Sequence, residues 1–212
     1  MNTQHGKHCL WILLLVALVL TALVASATTL APMSFENLAQ QATAIVRVRC
    51  VGAQNVWANG EIWTDSLFEV LQQAKADVFG ADQFATVSAT VAPTASGHPD
   101  TSVSSLRITL RQMGGSIGGL QSHVDGVPVF HQGEEVYLFL WRRAGEPYRV
   151  LGWTQGTFRV TRDARTGTAH VTQDSAASTF HAESREFQSS GIRNLPLAAF
   201  EEKLRTVLAT AR

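Results

Sequence analysis

Hydrophobic and polar positions alternate along much of the chain, and the alternation predicts strands. From Ala44 to Val51, the residues Val46, Val48 and Cys50 share one parity while Arg47 and Arg49 take the other. Side chains on a strand point to opposite faces in turn, so this segment is expected to be half-buried. Asn59-Gly60 is a hairpin signal, because both residues tolerate the positive φ a tight turn needs. Beyond it, Glu61 to Leu71 predicts a long strand. Ile62, Thr64, Ser66, Phe68 and Val70 share one side; Trp63, Asp65, Leu67, Glu69 and Leu71 share the other. Large apolar groups on both sides suit a strand that curves through a closed barrel or is covered twice.

The same pattern predicts strands over Phe84–Val91, Leu106–Met113, Leu120–Val124 and Glu135–Trp141, the last as a deeply buried run. It predicts three more over Tyr148–Trp153, Gly156–Thr161 and Thr168–Gln173. Turn signals separate them at Asp125-Gly126, Gln132-Gly133, Gly145 to Pro147 and Thr166-Gly167. Short strands punctuated this way argue for an antiparallel barrel or sandwich. Ser34 is placed to cap a short helix whose apolar positions are Phe35, Leu38, Ala39 and Ala42. At the other end Pro196 suits a first helical turn, and Leu197, Phe200, Leu204, Val207, Leu208 and Ala211 form one stripe. That stripe is expected to pack on the barrel, because Glu201 and Glu202 make the polar face too acidic for an anionic lipid surface. Residues 93–105 read as an exposed loop and 174–193 as a polar linker.

The first 27 residues follow a different logic. His5, Lys7 and His8 precede an uncharged apolar run from Cys9 to Val24, and Ala25-Ser26-Ala27 follows. Basic start, apolar middle and small-residue end describe a secretory signal peptide. Cleavage after Ala27 is expected, giving a secreted or periplasmic chain. The alternative is an uncleaved membrane anchor, although the apolar run is shorter than the roughly 20 residues that span a bilayer. The expected organisation is a signal over 1–27, a β-barrel domain over 34–173, a polar linker over 174–193 and a C-terminal helix over 194–212.

Composition narrows the partners. Lys plus Arg and Asp plus Glu number 17 each, so the formal net charge is zero, and charged residues are 16% of the chain. That is well below the roughly 25% of an ordinary soluble domain. It excludes a disordered polyelectrolyte and leaves no basic surplus for nucleic acid. Cys9 belongs to the signal, so Cys50 stands alone and no internal disulfide is expected. Cys50 reads as a small buried hydrophobe, with a reactive thiol or an intermolecular disulfide as the alternative.

Candidate chemistry is sparse. Gly114-Gly115-Ser116-Ile117-Gly118-Gly119 lacks the Gly-Lys-Ser/Thr step of a phosphate loop and reads as a bulge or barrel corner. His123, Asp125 and His131 are the best metal candidates, yet no H-E-x-x-H or paired C-x-x-C motif accompanies them. No G-x-S-x-G or S-x-x-K motif is present. Asp65 and Glu69 share a strand face and Glu134 and Glu135 oppose each other, with nothing to place a leaving group between either pair. Trp57, Trp63, Trp141 and Trp153 offer either a stacking surface or packing.

The order of these segments resembles a known architecture. A short helix runs into QATAIVRVRCVGA, then EIWTDSLFEVLQQAK, RITLRQMGG and FHQGEEVYLFL. This is similar to the netrin-like domain, the five-stranded oligonucleotide/oligosaccharide-type barrel of tissue inhibitors of metalloproteinases. It also resembles a group of secreted bacterial proteins that carry a G-G...F-x-x-G-E-E-V-x-L-F-L pattern. The likeness covers roughly Ser34 to Val160 and is sharpest in GEEVYLFL. The inhibitors insert an N-terminal cysteine into a protease zinc site; no cysteine lies near Thr28, so that activity does not carry over. What the resemblance implies is an antiparallel OB-like β-barrel with a short N-terminal helix and a C-terminal amphipathic helix.

The expected function is an exported, non-enzymatic binding or interaction module without a cofactor, its partner another extracytoplasmic protein. Its binding face is expected at Trp57, Trp63, Gly115, Ser116 and Gly118. Two alternatives stand beside it: a metal-dependent hydrolase using His123, Asp125 and His131, and a membrane-anchored structural envelope protein.

Overall fold

The short helix α1 (Phe35–Gln41) forms where the cap predicts it. Ser34 is extended, and its Oγ accepts from the Asn37 amide at 3.1 Å, satisfying one of the amides a helix start leaves unpaired. At the far end Lys75 Nζ donates to the Ala39 and Gln40 carbonyls, 3.0 Å each. A helix this short is held by packing more than by propensity. The computed structural model describes residues 32–76, 85–88, 104–143, 148–181 and 186–210. The expected signal lies outside these residues, as do most of the predicted loop over 93–105 and the turn at Gly145 to Pro147.

A long antiparallel hairpin follows, β1 (Ala44–Ala58) and β2 (Glu61–Lys75). Asn59 and Gly60 turn it with φ of 55° and 79°, the left-handed conformation that a two-residue hairpin of this type requires. The next strands are β3 (Ala85–Ser88), β4 (Ser104–Met113), β5 (Gly115–Ile117) and β6 (Leu120–Ser122). After them come β7 (Glu135–Trp141), β8 (Arg149–Val150), β9 (Thr157–Arg162) and β10 (Ala169–Gln173). The chain ends with β11 (Ala177–His181), β12 (Glu186–Ser190), β13 (Leu195–Pro196) and helix α2 (Leu197–Thr210).

The main sheet has the order β13-β10-β9-β7-β1-β2-β4-β3, with β8 paired to β7. The β5–β6 and β11–β12 hairpins form sheets of their own. The protein is therefore mainly β, antiparallel, with helices against the sheet. Among the described residues no ladder joins the two ends of the main sheet, although β8 runs beside β4.

Strand β1 is the shared wall of two apolar layers. Between Ala44 and Arg49 it is paired with β2 on one side and β7 on the other. Val46, Val48 and Cys50 point into a layer with Phe68, Ile108, Leu110, Val136, Leu138 and Leu140. Ile45 points the opposite way, into a layer with Tyr137, Phe139, Phe158 and the apolar faces of α1 and α2. This second layer is rich in rings. Phe200 of α2 lies 4.8 Å from Tyr137, 5.4 Å from Phe158 and 5.6 Å from Phe35 between centroids, spacings at which offset and edge-on pairs attract. The two-sided burial explains why β7 reads as a continuous apolar run.

At Cys50 the two ladders part. The Cys50 amide donates to the Glu134 carbonyl and its carbonyl accepts from the Gly133 amide, both at 2.8 Å. A register shift between Cys50 and Gly52 follows. A bulge of this kind bends the strand, and β1 continues with β2 beyond the edge of β7.

Two segments differ from their sequence patterns. Tyr148 to Trp153 reads as a strand, but only Arg149–Val150 pairs; Gly152 and Trp153 have φ of 61° and 54° and lead into a 3₁₀ turn over Trp153–Gly156. That turn closes tightly, since a Cβ on Gly156 would collide with the Leu151 carbonyl. The expected linker over 174–193 contains the β11–β12 hairpin, with Phe180 and Phe187 in register.

Candidate functional site

The bent end of the β1–β2 hairpin, β4 and the β5–β6 hairpin enclose a cleft of about 340 Å³. Register builds it. Asn55, Thr64 and Gln112 fall opposite one another on neighbouring strands, and Ala53 and Ser66 occupy the step below. These positions continue the parity of Cys50 and Phe68, so the cleft is the polar extension of the first apolar layer. Val127, Phe130 and Met113 supply its apolar part.

A small hydrogen-bonded cluster fixes the lid of this cleft. Asn55 Nδ2 donates to the Ser116 carbonyl at 2.8 Å. Thr64 Oγ1 lies 2.8 Å from Asn55 Oδ1 and 2.7 Å from the Gly114 carbonyl, and its one hydrogen serves either. The Gly114 amide donates to the Ile62 carbonyl at 2.9 Å. Gly115 has φ of 136°, and a Cβ there would stand 2.5 Å from Asn55 Oδ1 and 2.7 Å from Thr64 Oγ1. Glycine is the residue that lets backbone approach so closely.

Among the described residues lining the cleft, none is Asp, Glu, Lys or Arg. Several charged side chains of these strands lie on the opposite face and pair there. Arg111 reaches both Asp65 oxygens at 2.7 Å, and Arg49 lies 3.8 Å from Glu69. Further along, Arg47 pairs with Glu135, which also meets Arg162 at 3.3 Å. Arg159 donates to Asp174 at 2.7 and 2.9 Å, to Glu134 at 2.6 Å and to the Val129 carbonyl at 2.8 Å. It thereby ties the 129–134 loop, one wall of the cleft, to the sheet.

The sequence-derived binding residues divide accordingly. Gly115 and Ser116 line the cleft. Gly118 sits in the β5–β6 turn with open space around it. Trp57 is 56% exposed, two residues past Asn55 on the same face. Trp63 faces the other way; its Nε1 donates to the Ala58 carbonyl at 3.2 Å, and it borders a smaller cavity of about 90 Å³ with Trp153. Asn55, Thr64 and Gln112 are not among the binding residues expected from the sequence, because each looks like the ordinary polar side of a strand and only register brings them together.

The metal candidates do not converge. His123 Nε2 lies 3.1 Å from Asp125 Oδ1 at the cleft margin, while His131 Nδ1 lies 3.0 Å from Glu134 Oε1. Among the described residues there is no group of three His, Cys, Asp or Glu side chains placed to hold a metal ion. The carboxylate pairs are likewise divided, each acid meeting its own guanidinium.

A second cleft, about 450 Å³, lies between β2 and α2. Its polar groups satisfy one another: Tyr137 Oη donates to Glu201 at 2.7 Å, and Arg47 lies 3.5 Å from the same carboxylate. Burial, and then the Glu201 carboxylate, push the Tyr137 hydroxyl well above the ordinary phenol range. This cleft is a seam between packed elements, with Tyr137, Gln72 and Glu201 partnered with one another.

Among the described residues no helix is long and apolar enough to cross a membrane. Compared with protein families, curated proteins and solved structures, the chain matches none.

Proposed function

We propose that the protein is an exported, non-enzymatic binding module whose site is the cleft at the bent end of the β1–β2 hairpin. The observation that carries this reading is the separation of charge: the described cleft lining holds no Asp, Glu, Lys or Arg, while neighbouring acids and guanidiniums pair on the far face. A volume of about 340 Å³ falls in the range of small-molecule sites, roughly 300–1,000 Å³. A general acid or base needs to reach a reacting group; the acids of these strands face away from the cleft, and His123, which lines it, is paired with the solvent-exposed Asp125.

The architecture we propose is an oligonucleotide/oligosaccharide-type barrel. Five strands in the order β4-β2-β1-β7-β8, with β8 beside β4, support it. So does a first strand long enough to pair on both sides and then bend. In this reading side chains rather than a ladder close the β4–β8 seam. Export rests on the apolar run and Ala25-Ser26-Ala27.

Two measurements test the proposal. Mass spectrometry of the mature chain is expected to find Thr28 at the N-terminus; an intact Met1 overturns cleavage and release in favour of the membrane-anchored alternative. A metabolite and envelope-fragment library is titrated into the labelled full chain. Binders are expected to shift the side-chain amide resonances of Asn55 and Gln112. Binding confined to other surfaces, or turnover of a library compound, sinks the reading.

A further inference from the structure

We infer that the ligand of this cleft is an uncharged, polyhydroxylated one, a neutral oligosaccharide; the inference rests on the reading of the cleft as a binding site. The residues that face the ligand space are those not committed to holding the β5–β6 hairpin. Asn55 and Thr64 are committed. That leaves Ser66, Gln112, Ser116, Gln121, Ser122 and His123 among the polar lining. Side-chain amides and hydroxyls offer donor and acceptor on the same group, which is what a sugar hydroxyl, itself both donor and acceptor, requires.

Charge argues the same way. An anionic ligand needs a guanidinium, an ammonium or a helix N-terminus to offset its desolvation, and a cationic one needs a carboxylate. The described lining carries none of those side chains. An uncharged ligand enters without leaving a buried charge unpaired.

The rim supplies the second observation. Among the described residues the exposed large hydrophobic side chains are few, and two of them line this cleft. Met113 and Val129 line it, Leu120 stands 60% exposed at the tip of the β5–β6 hairpin, and Trp57 follows Asn55 on the same face. Carbohydrate rings are amphipathic, with hydroxyls at the edge and C–H groups on the face. A polar floor with an exposed indole beside it matches both parts, and an indole buries a large apolar area at small entropic cost.

The test is a titration of the labelled full chain with three panels. The first holds neutral hexasaccharides of glucose, mannose and N-acetylglucosamine. The second holds a heparin-derived hexasaccharide and oligogalacturonate; the third is an uncharged octapeptide. A neutral hexasaccharide is expected to bind and to shift the Gln112 and Gln121 side-chain amides. Gln112→Ala and Trp57→Ala are each expected to weaken it about tenfold, the loss of roughly one good contact, with Trp57→Phe within about threefold of the parent. Unchanged circular dichroism of the variants separates lost contact from lost fold. If the charged saccharides or the peptide shift those amides and no neutral sugar does, the ligand class is overturned while the cleft stands. If all three panels leave the amides still, the inference falls, and if the library titration does so too, the binding site falls with it.

Discussion

The Cys50 thiol is 1% exposed in the layer with Phe68 and Val136. Burial pushes its pKa up and the Glu134 charge adds to the rise, against a smaller downward pull from hydrogen bonding with the Gly52 backbone. Because the thiolate is the reactive form, native protein is expected to resist alkylation by iodoacetamide and to react after unfolding; rapid native labelling would contradict this placement. Glu134 moves the other way. Burial raises it, but hydrogen bonds from the His131 amide and ring and the Arg159 charge outweigh that and hold it below its ordinary 4.5. A carboxylate depressed in the folded state stabilises the fold above its unfolded value, and the contribution disappears as pH falls through the folded value. Thermal stability is therefore expected to drop on acidification below about pH 4.5. Glu134→Gln should flatten that drop while lowering stability at neutral pH by about 1–3 kcal/mol; an unaltered acid slope in the variant would count against the account.

The hairpins and helices each depend on a few closely fitted residues. Phe200 fastens α2 to the ring cluster, and Phe200→Ala is expected to cost about 3–5 kcal/mol in urea denaturation. A loss below 1 kcal/mol would mean the helix is loosely docked. Gly115→Ala brings both a disfavoured φ and a collision with Asn55 and Thr64. It is expected to release the β5–β6 hairpin at a cost of about 1–3 kcal/mol, read as faster amide exchange over 114–122 with β7 unaffected. Sequence made some of these elements plain and hid others. The faces of β2 and β4 follow from alternation because one side meets an apolar layer and the other carries ion pairs; β1 shows the same alternation, although its second side also gives Ile45 to the other layer. The cap at Ser34, the Asn59-Gly60 turn and the stripe of α2 are local signals and read directly. The β11–β12 hairpin was not legible because Ser, Thr, Gln and Glu dominate it. Strand β8 was overread because Gly152 and Trp153 leave the extended region after two paired residues, which an apolar pattern does not announce. The cleft is a product of register across three strands, and no single segment carries its signature; GGSIGG reads from the sequence only as a bulge or barrel corner.

At the scale of the whole molecule, β1 and β7 serve both apolar layers, so neither layer keeps its wall if the other melts. A single calorimetric transition, with calorimetric and van't Hoff enthalpies equal, is expected; two resolved transitions would show that the α2 layer and the curled sheet unfold separately. The bulge between Cys50 and Gly52 sets the limit of that cooperativity. Below it, β1 is sandwiched, and almost any replacement disturbs packing on both sides. Above it, the same strand carries Asn55 and Trp57 with neither layer upon them. That bulge thus divides a continuous strand into a part that serves both apolar layers and a part that carries the cleft. Descendants of this chain can acquire new tastes at the tip without putting the foundation at risk.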